Sequence, residues 1–293
     1  MANLKEIKNR ITSISSTMQI TSAMKMVSAS KLKRSQDAIT QMRPYSEKLQ
    51  EILGNLSATL DLSENAYADQ REVKTVYIVG VTSNRGLCGG FNNNIIKKAK
   101  ALIAGEYAGK DVKVISVGKK INDAFKRSEV NYRPDAIGAA EDMFNDLTFE
   151  RCSDLAQFLM DEFAAGKVDK VVVIYNKFKN AAVQIVTDEQ LLPIEVTKSE
   201  EGGSSTGDYI FEPSKQEIVE ELIPKSLKTQ LYKSLLDSSA SEHGARMTAM
   251  HKATDNAGEM KRDLTLLYNK ARQAAITNEI LEIVGGAEAL KGK

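Results

Sequence analysis

Ser83-Asn-Arg-Gly-Leu-Cys-Gly-Gly90 comes nearest to a chemical site. It is a glycine-rich turn between an apolar run and a helical pattern, the setting in which backbone N–H groups cradle phosphates. It lacks the Gly-Lys-Ser/Thr ending of a nucleotide P-loop and the Gly-x-Gly-x-x-Gly spacing of a dinucleotide fingerprint. The glycines are therefore expected to supply tight turns where a sheet meets helices, with Arg85 tying that junction. Other reactive types are scarce. Cys88 and Cys152 stand 64 residues apart, without the paired spacing of a zinc or redox motif, which points to free thiols in a reducing compartment. His243 and His251 are the two histidines and Trp is absent, so a metalloenzyme or a triad hydrolase lacks its usual side chains. The carboxylate pairs Glu141-Asp142 and Glu200-Glu201 have no His, Lys or Cys recurring beside them to set acid and base roles, and read as solvated surface. No catalytic residue, metal ligand or cofactor is expected.

The chain has 293 residues, 42% hydrophobic and 27% charged, which excludes a wholly disordered protein. Forty basic side chains face 39 acidic ones, so the global charge gives no argument for nucleic acid. Locally the charges separate. Residues 1–50 carry a surplus of +6 and residues 137–166 a surplus of −6. No aromatics interleave the basic residues as a stacking platform for nucleic acid requires, so a basic rod against acidic protein partners is the expected reading. No apolar run approaches the roughly 20 residues that span a bilayer, and Met1 to Arg10 is a charged helical pattern without an apolar signal region. Membrane association is expected through a partner.

The elements that hold these residues begin with a long seam. Leu4, Ile7, Ile11, Ile14, Met18, Thr21, Lys25, Ser28, Leu32, Ser35, Ile39, Met42, Ser46, Leu49, Leu53, Leu56 and Leu60 alternate in steps of three and four. Such a heptad helix extends roughly 85 Å, too long for one compact domain, and requires a mate. Around Thr21 to Ser35 the seam turns small and polar, while Met24, Met26 and Val27 put apolar atoms on other faces. Pro44 predicts a bend or local break.

From Val73 the pattern changes to short strands and helices. Strands are expected at Val73–Val81, Val112–Val117 and Lys170–Tyr175, with an edge strand at Ala182–Thr187. Helices are expected at Phe91–Ala104, Gly118–Arg127 and Phe149–Ala165. Ser199–Asp208 reads as a flexible loop. Pro213 and Ser214 with Glu217 read as a capping box opening a helix that Pro224 interrupts. A second seam runs Met250, Ala253, Ala257, Met260, Leu264, Leu267, Ala271, Ala274, Asn278 and Leu281, and is the expected mate of the first.

The fold class is thus α/β: a long antiparallel coiled coil of the N- and C-terminal helices protruding from a central Rossmann-like α/β domain. The divisions are 1–62 for the first shaft helix, 73–198 for the base and 209–287 for the second shaft helix. Ile276, Ile280 and Ile283 lie off the second seam, and a helix apolar all round must be surrounded by another protein.

Three separated motifs carry a family resemblance over essentially the whole chain. They are Ile20-Thr-Ser-Ala-Met-Lys-Met-Val27 with Ala29-Ser-Lys31, Arg85-Gly-Leu-Cys-Gly-Gly90, and Ala253-Thr-Asp-Asn256 with Tyr268-Asn-Lys-Ala-Arg-Gln-Ala274 and Ile276-Thr277. In these the sequence closely resembles the gamma subunits of the rotary proton-translocating ATP synthases of bacterial type. The resemblance implies a non-catalytic central rotor shaft inside a ring of three alpha and three beta subunits. Its base would sit on the membrane ring of c subunits beside the epsilon subunit, coupling rotation of that ring to ATP synthesis or hydrolysis in the beta subunits.

By motif, the resemblance puts Met24 against the moving lever of a beta subunit and Arg272, Gln273 and Thr277 against a beta-subunit loop. Asp208-Tyr-Ile-Phe-Glu-Pro213 resembles the family's foot segment, so Tyr209, Phe211 and Glu212 would contact the c ring, with Phe211 where a second Tyr is expected. The location implied is peripheral, on the cytoplasmic face of the bacterial cell membrane. The competing readings are a nucleotide-binding α/β enzyme built on the glycine-rich turn and a basic coiled-coil protein of nucleic acids.

Overall fold

Thr75–Val81, with the sequence TVYIVGV, is buried along nearly its whole length because it lies inside a sheet covered on both faces. The computed structural model describes residues 4–57, 66–138, 140–194 and 215–291. In chain order the elements are α1 (Leu4–Ser57), β1 (Thr75–Val81), α2 (Phe91–Ala104), β2 (Asp111–Val117), α3 (Lys119–Phe125) and β3 (Asn131–Tyr132). Two 3-10 turns follow (Asp135–Ile137 and Ala140–Asn145), then α4 (Phe149–Ala164), β4 (Lys170–Phe178), β5 (Gln184–Leu192) and α5 (Lys215–Lys291). Two compact units result: Ala29–Arg246, and Met1–Ser28 with Met247–Lys293.

In Ala29–Arg246 the sheet has the order β3-β2-β1-β4-β5. β1 runs parallel to β2 and β4, and β5 returns antiparallel along β4 as the edge strand. Alternation along the strands sorts the side chains. Tyr77, Val79, Ile115, Val171 and Val173 face α4 and the α5 residues Ile223, Leu227, Leu231 and Leu235. Val76, Ile78, Val114, Val172 and Ile174 face α2 and α3 through Ile95, Ala99, Ile121 and Phe125. β1, β2 and β4 thus each supply both cores by their period of two. α4 starts on the Thr148 cap, whose hydroxyl accepts the Arg151 N–H, and buries Cys152, Leu155, Leu159 and Phe163.

At the carboxyl ends of β1 and β2 the backbone is tight. Thr82 N–H donates to Val117 O at 2.8 Å, and the Thr82 hydroxyl accepts the Ile121 N–H at 3.0 Å. Gly118 turns the chain there with φ +97°, and a Cβ on it would fall within the van der Waals envelope of the Thr82 carbonyl oxygen. Only glycine combines that φ with that approach.

In Met1–Ser28 with Met247–Lys293, α1 and α5 pair antiparallel. Thr21 and Thr254 hydroxyls meet at 2.8 Å, Lys25 Nζ lies 3.5 Å from His251 Nδ1, and Lys261 Nζ donates to Ser15 Oγ at 3.1 Å. As numbers rise along one helix they fall along the other. The first seam buries its expected residues here: Ile7, Thr21 and Ser28 are buried and Leu4, Ile11, Ile14 and Met18 half-buried.

Three expectations need correction. Pro44 lies inside α1, so of the expected bend or local break the break is excluded, and Pro224 lies inside α5 without interrupting it. One lost N–H is tolerable at Pro44 because that residue is exposed and water reaches the freed carbonyl; at Pro224 the packing of Ile223 and Leu227 holds the helix together. The second seam keeps Met250, Ala257, Leu264 and Ala271, but its alternate positions are Thr254, Lys261, Tyr268 and Ala275. Met260 and Leu267, expected on the seam, are 57% and 48% exposed. The positions facing α1 are polar because Thr21 and Ser15 receive them, so apolarity pointed one residue away. The Ser199–Asp208 loop and the Pro213-Ser214 cap lie outside the described residues.

Candidate functional site

The strand order makes the chain leave β1 in opposite directions toward β2 and β4, and the glycine-rich turn sits at that point, where open α/β sheets bind ligands. Here α5 fills the place. Arg246 Nη1 donates to Glu242 Oε1 at 2.6 Å, its Nε and Nη2 to Gly86 O at 3.4 Å, and Nη2 also to Arg85 O at 3.4 Å. The Arg246 and Glu242 side chains are only 10% and 11% exposed. Inside the turn Asn92 Oδ1 accepts the Ser83 N–H at 2.9 Å, its Nδ2 reaches Ser83 Oγ at 2.9 Å, and Ser83 Oγ donates to Arg85 O. The turn therefore offers carbonyls to a cation, the reverse of a loop that offers N–H groups to a phosphate. The side chain of Arg85 is exposed and only its carbonyl takes part in the tie, which Arg246 makes instead. The Glu242–Arg246 spacing of four was the available signal, and it reads on sequence as an ordinary helix pair.

Burial shifts the groups around this pair. It raises the Glu242 carboxyl above its ordinary range, with Arg246 opposing, and raises the Cys88 thiol. His243 is held down to about 4 by burial first, then by Arg246 and Lys31. The unfolded chain takes up this proton near pH 6.5 and the folded chain only near pH 4, so the stability is present above 6.5 and lost as the pH falls through that window. Urea unfolding at stepped pH should show about 3 kcal/mol lost through this residue, and His243→Gln should remove that slope. An unchanged slope in the variant would mean that His243 is not held neutral. Glu242, whose shift has the opposite sign, contributes equally to both proteins in that comparison.

Elsewhere the carboxylates serve structure. Glu141 Oε1 meets Arg133 Nη2 at 2.5 Å and Asp142 meets Lys119 at 3.1 Å. Glu200 and Glu201 lie outside the described residues. Cys88 and Cys152 are free and buried, and burial pushes the Cys152 thiol up to about 12. Among the described residues no group of three His, Cys, Asp or Glu side chains is arranged to hold a metal ion.

A family model described as ATP synthase matches residues 3–290. The ATP synthase gamma chain of Flavobacterium psychrophilum is 64% identical over 293 residues, covering all of both chains. The chain belongs to the ATP synthase gamma chain family. The gamma chain of Cytophaga hutchinsonii is 54% identical over 298 residues, covering 99% of each. A chain of the central stalk and c-ring structure of the Tetrahymena thermophila mitochondrial ATP synthase is 25% identical, with a TM-score of 0.57 over 80% of this chain and 99% of that one. A chain from the Euglena gracilis mitochondrial ATP synthase shares the fold, with a TM-score of 0.65 and 21% identity over 98% of this chain and 94% of that one.

The partner residues expected from the sequence lie, where they are described, on the two long helices. Arg272, Gln273 and Thr277 are exposed, and the Thr277 hydroxyl donates to Gln273 O at 2.9 Å within its own helix. Around them Ile276, Ile280, Leu281, Ile283 and Val284 are 45%, 54%, 63%, 71% and 52% exposed. Met24 is half-buried on α1, beside Lys25 and so level with His251 of α5. That is roughly 30 Å along the helix from Arg272, so the structure does not gather these four into one site. Ile20 and the off-seam Met26 and Val27 expose their side chains on α1, and Leu266, which the sequence did not single out, does so on α5. Tyr209, Phe211 and Glu212 lie outside the described residues.

Proposed function

We propose that this chain is the central rotor shaft of a proton-translocating ATP synthase and makes no bond itself. In this reading α1 and α5, with residues 1–62 and 209–287 as the shaft, turn inside three alpha and three beta subunits, while residues 73–198 form the base beside the epsilon subunit and the c ring. Met24, Arg272, Gln273 and Thr277 meet beta subunits, and Tyr209, Phe211 and Glu212 meet the c ring. The observation that carries the reading is the run Ile276, Ile280, Leu281, Ile283 and Val284, apolar and exposed over nearly half of the helix circumference, a surface that a partner protein would cover.

An asymmetric shaft presents a different face to each catalytic subunit at each angle, and so changes which conformation of that subunit is favoured. Moving a two-state site from about 1:99 to 99:1 takes roughly 5.5 kcal/mol of differential contact. No described helix is long and apolar enough to cross a membrane. Attachment to the cytoplasmic face of the bacterial membrane therefore runs through the partners.

Reconstitution tests this. The purified chain is combined with alpha and beta subunits of a related synthase, complexes are isolated by size, and ATP hydrolysis is assayed with and without the chain. The expected result is one copy joining three of each, with turnover at least about tenfold lower when residues 270–284 are removed, equivalent to about 1.4 kcal/mol. Failure to assemble, with nucleotide or nucleic-acid binding by the chain alone, would sink the rotor reading.

A further inference from the structure

On the outer side of α4, a groove of about 350 Å³ runs between that helix and the two 3-10 turns before it. Its floor is apolar: Met143 is buried, and Ile137 and Phe158 are half-buried, with the Phe158 ring 6.5 Å from that of Tyr132. Along its α4 side Arg151, Asp154, Phe158 and Asp161 follow one another at helical spacing, so they form a single stripe. The carboxylates Asp154 and Asp161 stand seven residues, two turns or about 10 Å, apart, with Phe158 between them. Arg151 is engaged at Asp146 O (3.3 Å), and among the described residues the Asp161 carboxylate accepts only the neutral Gln157 amide, at 2.9 Å. Among the described residues the Asp154 side chain forms no ion pair. The groove lies within residues 137–166, the stretch whose surplus is −6.

We propose that this groove docks a segment of another protein subunit carrying two cationic side chains about 10 Å apart on either side of an apolar one. The apolar side chain fills the space over Met143 and Phe158, and the cations meet Asp154 and Asp161. Charge complementarity chooses this occupant: an uncharged segment leaves both rim carboxylates unanswered, and an acidic one meets the negative surplus. The spacing fits residues i and i+7 of a helix or i and i+3 of a strand. The groove is at the small end of ligand sites, suited to a few side chains. This inference rests on the reading that the chain works inside a multi-subunit complex.

The test uses the intact synthase complex containing the full chain with benzoylphenylalanine in place of Gln157, which lines the groove. Irradiation should give a cross-link to another subunit, and the captured peptide should carry Lys or Arg flanking an apolar residue. Asp154→Lys with Asp161→Lys should lower its yield about fivefold or more, and opposite charges on the captured segment should restore it. The isosteric pair Asp154→Asn and Asp161→Asn, which keeps the shape of the surface, should lower the yield in the same direction. An intact complex with no inter-subunit cross-link, a cross-link to a second copy of this chain, or a yield indifferent to both charge changes would overturn the docking site. Absence of any complex by size would instead overturn the assembly reading, and the docking site with it.

Discussion

Arg246→Ala should destabilise the chain by about 3–5 kcal/mol, because it strands one buried charge and takes a donor from each of two carbonyls. Glu242 lies in the same buried setting and receives the guanidinium at 2.6 Å; without that cation it must stay charged in a poor solvent or take up a proton. The carbonyls of Arg85 and Gly86 lose their Arg246 donors as well. Denaturant unfolding of the purified chain measures the loss. Arg246→Lys should recover part of it, since an ammonium meets Glu242 but lacks the planar fork that reaches both carbonyls. The double change Glu242→Leu with Arg246→Leu should cost far less than Arg246→Ala, because burying two apolar groups leaves no charge unanswered. A loss below about 1 kcal/mol for Arg246→Ala would mean that the pair is solvated rather than buried.

Gly118→Ala should be about as damaging, at roughly 3–5 kcal/mol, by a steric route. A Cβ must both accept φ +97° and displace the Thr82 carbonyl, which is main chain and cannot swing aside. Relief comes only by parting the ends of β1 and β2, which stretches the bonds of Thr82 N–H to Val117 O and of Ile121 N–H to the Thr82 hydroxyl. Gly89→Ala is the control. Its φ is +60°, but a Cβ there meets nothing within 4 Å, so only the conformational cost of about 1 kcal/mol applies. Equal losses at the two positions would refute the steric account. Recovery of soluble protein supplies a second readout if Gly118→Ala fails to fold.

Much of this architecture is legible before any coordinates. α2 is bounded by Gly90 and Gly105, and both of its ends fall where the glycines put them. The first seam is legible because Ile and Leu dominate it and Thr21 and Ser28 merely interrupt. The second misleads at alternate positions, because the side chains facing α1 there include Thr254 and Lys261, whose hydrogen bonds depend on Thr21 and Ser15 more than 230 residues earlier. Hydrophobicity carries no trace of such a pairing. Arg246 escaped for a related reason: nothing local distinguishes a Glu-Arg pair at helical spacing in water from one closed over by a turn 160 residues away. The exposed stripe Ile276 to Val284, by contrast, is readable because Ile276, Ile280 and Ile283 lie off the seam that faces α1.

The grip of Arg246 falls on main-chain oxygens, and every residue type carries one. The contact is therefore blind to the side chains at positions 85 and 86, so long as the turn keeps its path. A substitution at either position that preserves that path should leave the hydrogen bonds of the clasp in place. Positions 242 and 246 have no such latitude: removing the charge at either alone leaves the other stranded, as described above, so the two sites tolerate loss of charge only as a pair.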